Sequence, residues 1–254
     1  MNSGLYYILT VIFGLVLGSF LNAYIWRLKS KHSIWRGRSI CTHCKHDLSW
    51  LDLIPVFSFL FLRAKCRYCG KKISWQYPLV EIFTALIFSL ILYIHLSTDN
   101  SLWFILRDWF FASVLIVIFV YDHRWGYILD RISLPAIIIA FCVNMLLGYY
   151  WYGLFAAAVI GSGFFLFQYL LSHGKWIGGG DIRMGALMGF MVGWPNILAA
   201  LFLSYLVGAA TAIILLFGKK KKMGSTIAMG TFLAIGTLIT LLWGSQIIDW
   251  YLKF

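Results

Sequence analysis

Acidic side chains are scarce in this sequence: nine Asp and Glu stand among 254 residues, against 21 Lys and Arg. Charge of either sign is thin as well, 12% of residues, where soluble globular proteins carry roughly 25%. That shortage, with 61% hydrophobic and 19% aromatic residues and a mean hydropathy of +0.84, excludes an ordinary soluble domain and marks an integral membrane protein. Other signatures are missing too. There is no His-Glu-x-x-His for a zinc hydrolase and no phosphate-cradling glycine loop. No basic residue precedes the first apolar run, as a cleaved signal peptide would require. The sequence shows no internal repeat, and no low-complexity tract beyond Lys219-Lys220-Lys221-Lys222.

The net charge of +12 would suit nucleic acid if the basic residues formed one surface. They are instead segregated along the chain. Eleven lie between Arg27 and Lys72, two at Arg124 and Arg131, two at Lys175 and Arg183, and four at Lys219 to Lys222, leaving Arg107 and Lys253. On a chain weaving through a bilayer these clusters fall on alternate loops, the positive-inside pattern. No nucleic-acid partner is expected. The apolar stretches run at about 5–26, 79–96, 102–121, 132–150, 152–171, 183–194, 196–217 and 226–248. Most approach the ~20 residues a bilayer requires, but the 183–194 piece is short and is open to tilting, re-entering or merging with its neighbour across Trp194-Pro195. The expected fold is an all-α polytopic membrane protein of about eight transmembrane helices. The expected organisation is a first transmembrane helix at 1–26, a cytoplasmic cysteine-bearing segment at 27–77 and a membrane domain at 78–254. Because Arg27 and Lys29 follow the first span, the N-terminus should face outside and the lysine run should form a cytoplasmic turn. Asn22, at membrane depth, is expected to hydrogen-bond across helices.

Cys41-Thr42-His43-Cys44 and Cys66-Arg67-Tyr68-Cys69 are two Cys-x-x-Cys knuckles 21 residues apart. Four thiolates at this spacing suit one tetrahedral zinc, and four cysteines close the coordination shell, which makes the site structural. The segment is too short to build its own core, so the metal supplies stability. A pair of disulfides would need the loop outside, whereas the charge pattern puts it in the reducing cytoplasm. His43 and His46 read as bystanders, and Cys142 as packing.

Among the nine acids, Asp47 and Asp52 belong to the cysteine segment, Asp99 and Asp108 to the far face, and Asp249 to the C-terminal end. Glu81, Asp122, Asp130 and Asp181 remain at cytoplasmic ends of spans. Asp122 closes one span, and Asp181 opens another behind the run Gly178-Gly179-Gly180. The glycines permit positive φ and close approach of another chain, while the bland reading is a turn whose Asp181 caps the next helix. Two carboxylates at ~4 Å repel by about 4 kcal/mol at an effective dielectric near 20, so such a pair shares one proton. One member then activates water and the other polarises a carbonyl. Asp122, behind an unbroken apolar helix, is expected to partner Asp181 and suits the protonated member, the general acid. Asp130, beside Arg131 and ahead of the Ser133-Leu134-Pro135 helix start, suits a helix N-terminus. A transporter or channel would also carry intramembrane acids, but with repeated halves and acids near the midplane. A non-catalytic zinc scaffold differs only in the outcome of replacing the aspartates.

Several motifs recur in order: Gly18-Ser19-Phe20-Leu21-Asn22 with Arg27-Leu28, the paired cysteines around Trp50-Leu51-Asp52-Leu53-Ile54-Pro55-Val56, Gln76-Tyr77-Pro78-Leu79-Val80-Glu81, Asp122 with Asp130, and Gly178-Gly179-Gly180-Asp181. In this the chain resembles the type IV prepilin peptidase family over nearly its whole length. The resemblance implies an intramembrane aspartyl protease that removes leader peptides from prepilins or pseudopilins at the cytoplasmic face of the cytoplasmic membrane. It implies Asp122 and Asp181 as the catalytic pair, with Gly178, Gly180, Asp130 and Glu81 as motif support. Many members also methylate the new N-terminus with S-adenosylmethionine. The chain departs from the family's usual Pro-Phe-Gly-Pro-Phe run, where it has Ala228-Met229-Gly230-Thr231-Phe232, and it carries Leu129 for proline and Arg183 for lysine.

Overall fold

The computed structural model describes residues 3–30, 33, 37–97, 101–218 and 228–253; the lysine run and Asp99 lie outside them. Among the described residues the regular structure is helical, with two isolated β-bridges in the cysteine segment and no strand. The helices are α1 (Ser3–Ser30), α2 (Phe57–Phe61), α3 (Gln76–Ser97), α4 (Leu102–Trp125), α5 (Asp130–Leu146), α6 (Trp151–Leu171), α7 (Gly179–Val192), α8 (Asn196–Phe217) and α9 (Met229–Leu252). Each of the eight expected apolar stretches is a helix. Six of them (α1, α3, α4, α6, α8 and α9) are long and apolar enough to cross a membrane. Helix α5 has 17 residues and α7 only 14. The chain is a multi-pass membrane protein.

It divides into two compact units, Met1–Ser101 and Leu102–Phe254. In the first, α1 and α3 run antiparallel with their backbones in close contact. A Cβ on Gly14 would fall 2.6 Å from Ala85 Cα, and one on Gly18 would fall 2.7 Å from Glu81 Cα. Small residues four apart are how helices approach closely in lipid, where burial of apolar surface no longer drives association. One turn further, Asn22 donates to the Tyr77 carbonyl at 3.0 Å and accepts from Gln76 at 3.1 Å, the cross-helix bond expected of it.

In the second unit, α7 packs on α5, α6, α8 and α9, and Met184, Leu187 and Met188 on it are fully buried. Its closest neighbour is α6, again through small residues. A Cβ on Gly185 would meet the Gly161 carbonyl oxygen at 2.4 Å, and one on Gly189 would meet Ala158 at 2.4 Å. Gly161-Ser162-Gly163 is therefore a packing feature on its Gly161 side. At the far end from Asp122, the buried Arg107 of α4 pairs with Asp108 at 2.7 Å and donates to Asn144 and Tyr149. Asn144 in turn donates to the Phe190 carbonyl at 2.6 Å. A charge at membrane depth is thereby partnered, and it ties α4 and α5 to the end of α7.

Replacing Gly189 by Ala should cost about 1–3 kcal/mol through overpacking against the α6 backbone. Gly163→Ala, whose Cβ meets nothing within 4 Å, should instead stabilise by about 0.5–1 kcal/mol. Thermal unfolding of the two variants in one detergent checks the contrast.

Candidate active site and metal centre

In the first unit the two cysteine knuckles have the same backbone. Lys45 N–H donates to Cys41 C=O at 3.0 Å and Cys41 N–H to His46 C=O at 2.9 Å. The same bonds recur 25 residues later, from Gly70 N–H to Cys66 C=O at 2.9 Å and from Cys66 N–H to Lys71 C=O at 2.8 Å. The flanking bridges, Ile40 with Asp47 and Lys65 with Lys72, keep the same offset. The duplication is written in the sequence too, where Leu48-Ser49-Trp50 follows the first knuckle as Ile73-Ser74-Trp75 follows the second, a short repeat that sequence analysis missed. Each knuckle turns through a positive φ, taken by Lys45 (62°) in one and Gly70 (70°) in the other.

The duplication brings the four sulfurs of Cys41, Cys44, Cys66 and Cys69 within 4.8 Å of one another. Tetrahedral Zn–S bonds of 2.3 Å place sulfurs about 3.8 Å apart; Cys41 and Cys69 are at 4.0 Å. The set fits one tetrahedral metal ion. Burial pushes the Cys41 thiol up, but backbone N–H groups of Cys44 and His43 overcome it and bring the thiol down to about 7, while burial holds Cys66 above the usual thiol range. His46 lies against the Tyr68 ring at 3.7 Å and Cys142 is exposed, so neither joins the set.

Asp52 binds this centre to the turn before it. Its carboxylate accepts from Ser49 N–H at 3.1 Å, Ser49 Oγ at 2.8 Å, Arg67 Nε at 2.8 Å and Tyr68 OH at 3.1 Å. Arg67 and Tyr68 are the two residues inside the second knuckle. Glu81, buried in α3, accepts from Val56 N–H at 2.7 Å.

In the second unit, Asp122 and Asp181 are both buried, with 3% and 9% of their surface exposed, and close enough for their charges to interact. Asp122 sits in the last turn of α4 and Asp181 in the first turn of α7. Asp181 accepts from Gly178 N–H at 3.0 Å, so it caps its own helix as the bland reading expected. The glycine run takes no positive φ. Its second expected use is met at Gly180, where a Cβ would lie 3.2 Å from Ile128 Cβ.

Sequence reasoning missed the partners of Asp122. Its Oδ2 accepts from Thr231 N–H at 2.7 Å and Thr231 Oγ1 at 3.2 Å, and the Gly230 N–H is a further donor. The start of α9 thus presents its unpaired amides to the carboxylate, the usual chemistry of a helix N-terminus. Gly230 is required by space, since a Cβ there would fall 2.9 Å from Asp122 Oδ2 and 2.8 Å from Ile128 Cδ1. The departure at 228–232 was the available signal. Asp130 is elsewhere: it opens α5, its side chain is 52% exposed, and it pairs with Arg183 rather than with Arg131.

Comparison with known proteins agrees with both units. The bacterial peptidase A24 N-terminal domain matches residues 12–95, and the type IV leader peptidase family matches residues 109–213. The chain belongs to the type IV leader peptidase family. A prepilin leader peptidase/N-methyltransferase of Bacillus subtilis is 34% identical, covering 95% of this chain and 96% of its own. Proteins of the same name are 32% identical in Aeromonas hydrophila (98% and 94% covered) and 30% in Pseudomonas aeruginosa (96% and 93%). No solved structure matches. For this family member the two matched regions fall one in each unit, and the gap between them, 96–108, holds the point where the units divide.

Four donors outweigh burial and hold the Asp52 carboxyl below the usual carboxylate range. A depressed value contributes stability above the unfolded pKa of about 3.9, and loses it as pH falls through the folded value. Wild type should therefore show an acid step below about pH 4 in the hydrogen exchange of the Ser49–Asp52 amides. Asp52→Asn should remove that step and exchange faster at pH 7.

Proposed function

We propose that this protein cleaves the leader peptides of prepilins or pseudopilins at the cytoplasmic face of the cytoplasmic membrane, with Asp122 and Asp181 as the catalytic pair. The observation that carries the proposal is the burial of these two carboxylates beside each other at one end of the second unit. The names of the relatives supply the substrate class. The positive-inside pattern supports the orientation, N-terminus outside.

Three donors gather at Asp122 and one at Asp181. Hydrogen bonds to a carboxylate favour its charged form, so this asymmetry supports Asp122 as the ionised base and Asp181 as the member that keeps the proton. That reverses the role suggested by the apolar flank of Asp122 alone. In the reaction, Asp122 takes a proton from water as the water oxygen bonds to the scissile carbonyl carbon. Asp181 gives its proton to the carbonyl oxygen. Collapse of the resulting diol breaks the C–N bond, the leaving amine takes the proton held by Asp122, and a diol hydroxyl returns one to Asp181. Thr231, with Gly230, orients Asp122, and Asp130 lies outside the dyad in an ion pair.

Zinc is the metal proposed for Cys41, Cys44, Cys66 and Cys69, in a structural role with no place for water. The relatives' names extend the reading to N-methylation of the new amino terminus, with S-adenosylmethionine as donor. A buried amide oxygen, Gln76 Oε1, lacks a hydrogen-bond donor. A single acceptor does not hold an adenosine and a sulfonium.

Co-expression with a prepilin, followed by intact-mass analysis, tests cleavage and reports any added methyl group in the same spectrum. Asp122→Asn and Asp181→Asn should each lower kcat by about 10²–10⁴-fold, with normal membrane yield. Thr231→Val keeps the N–H but loses the hydroxyl, and should lower kcat by about tenfold. Asp130→Asn should cost only roughly a few-fold, as an exposed ion pair does. Brisk cleavage by Asp122→Asn would overturn the assignment. Elemental analysis should separately find one zinc per chain, lost when Cys41 and Cys44 are both replaced by Ser.

A further inference from the structure

The segment between α1 and α3 reads in sequence as a cytoplasmic loop, yet among the described residues its middle carries apolar side chains that stay exposed. In α2, Phe57, Leu60 and Phe61 are 58%, 61% and 85% exposed, while Phe59 is 6% exposed and packs edge-on against Trp75. Positions i, i+3 and i+4 form one face of a helix. Trp50, Leu51, Leu53 and Ile54, in the turn just before, are exposed as well. A contiguous apolar surface of this kind marks contact with something other than water.

A hydrogen bond gives the depth of this surface. Val56 N–H, at the start of α2, donates to Glu81 Oε2 at 2.7 Å. Glu81 is the sixth residue of α3, whose whole length is apolar enough to span a membrane. It therefore lies about 7.5 Å into that helix at 1.5 Å per residue. Ser19 of α1 also bonds Glu81. Ser19 precedes Arg27, the first basic residue after the span, by about 12 Å of helix. The turn before α2 is thus held beside the membrane-spanning parts of α1 and α3, below the level of the charges that flank them.

We infer that Trp50–Phe61 is a re-entrant interfacial anchor, its exposed apolar face resting in the headgroup and upper acyl region of the bilayer. Bilayer lipid is the occupant because the patch is continuous with two spans that already face lipid. Its aromatic content fits the membrane interface, where Trp and Phe settle. Arg63, Lys65, Arg67, Lys71 and Lys72 follow immediately and suit anionic headgroups. Non-helical backbone at this depth needs internal partners, and the Val56–Glu81 bond supplies one.

The test places the photoreactive residue p-benzoylphenylalanine at Phe57 or Phe61 in the full chain. The chain is reconstituted in phosphatidylethanolamine/phosphatidylglycerol vesicles, illuminated and weighed intact. Leu86, exposed on α3, is the lipid-facing control, and Lys45 in the first knuckle is the aqueous one. Lipid adducts at 57 and 61 should match Leu86 and exceed Lys45 by about fivefold or more, as expected for a buried interfacial face. Adducts mainly to a second copy or to an added prepilin, or yields no higher than at Lys45, would overturn the inference. At Phe57 and Phe61 the substitution exchanges one exposed aromatic ring for another, and retained metal content in all four variants confirms that the fold survives.

Discussion

A helix of 14 residues is about 21 Å long, and the hydrocarbon core of a bilayer is about 30 Å thick. Helix α7 cannot cross unaided, and its C-terminal end is buried in protein while Gly178 and Gly179 at its start stay exposed. The second unit is arranged around that constraint, with α5, α6, α8 and α9 enclosing α7. Close backbone contact through Gly161, Gly185 and Gly189 sets its position against α6, and Asn144 holds its C-terminal carbonyls. The start of α7 is exposed at Gly178 and Gly179, and from its first turn the Asp181 side chain is buried against the bundle. A carboxylate can reach low dielectric there without leaving its helix.

The same enclosure explains the treatment of Asp122. A buried carboxylate without donors is costly. Helix α4 cannot supply them, because Asp122 lies at its C-terminal end, where the free backbone groups are carbonyls. The donors come from the opposite kind of terminus, the start of α9. Ile128 fills the space between Gly180 and Gly230 and so spaces the starts of α7 and α9. Adding a side chain at either glycine would disturb the setting of a carboxylate as well as packing.

Local features were legible in the sequence, and long-range ones were not. The cysteine knuckles could be read because spacing alone encodes them, and the Asp181 turn because its glycines and acid are consecutive. The apolar runs located every long helix and the short 183–194 run already set α7 apart, though run length did not separate the 17-residue α5 from true spans. Thr231 was signalled only by the departure from the family's run at 228–232, and nothing in that run says that its partner is Asp122, 109 residues away. The Arg183–Asp130 pair, across 53 residues, was hidden for the same reason. The knuckle duplication was legible but short, carried by the cysteines and the Ser-Trp pairs at 49–50 and 74–75 and diluted by unmatched residues between them.

Those long-range bonds also change the meaning of the cysteine segment. Four thiols closing one coordination shell would make a small rigid body, but rigidity matters only if it is transmitted. Arg67 and Tyr68 lie between two of the sulfurs, and both grip Asp52. Asp52 holds the Ser49 turn, and the chain from that turn reaches Val56 within four residues. Val56 is fixed to Glu81 inside α3, and Glu81 stands at one of the two glycine contacts that let α1 approach closely. A continuous series of short polar contacts therefore runs from the metal centre into the contact between the first two membrane helices. Loss of metal should loosen that contact as well as the knuckles, since no apolar core of the segment stands between them to absorb the change.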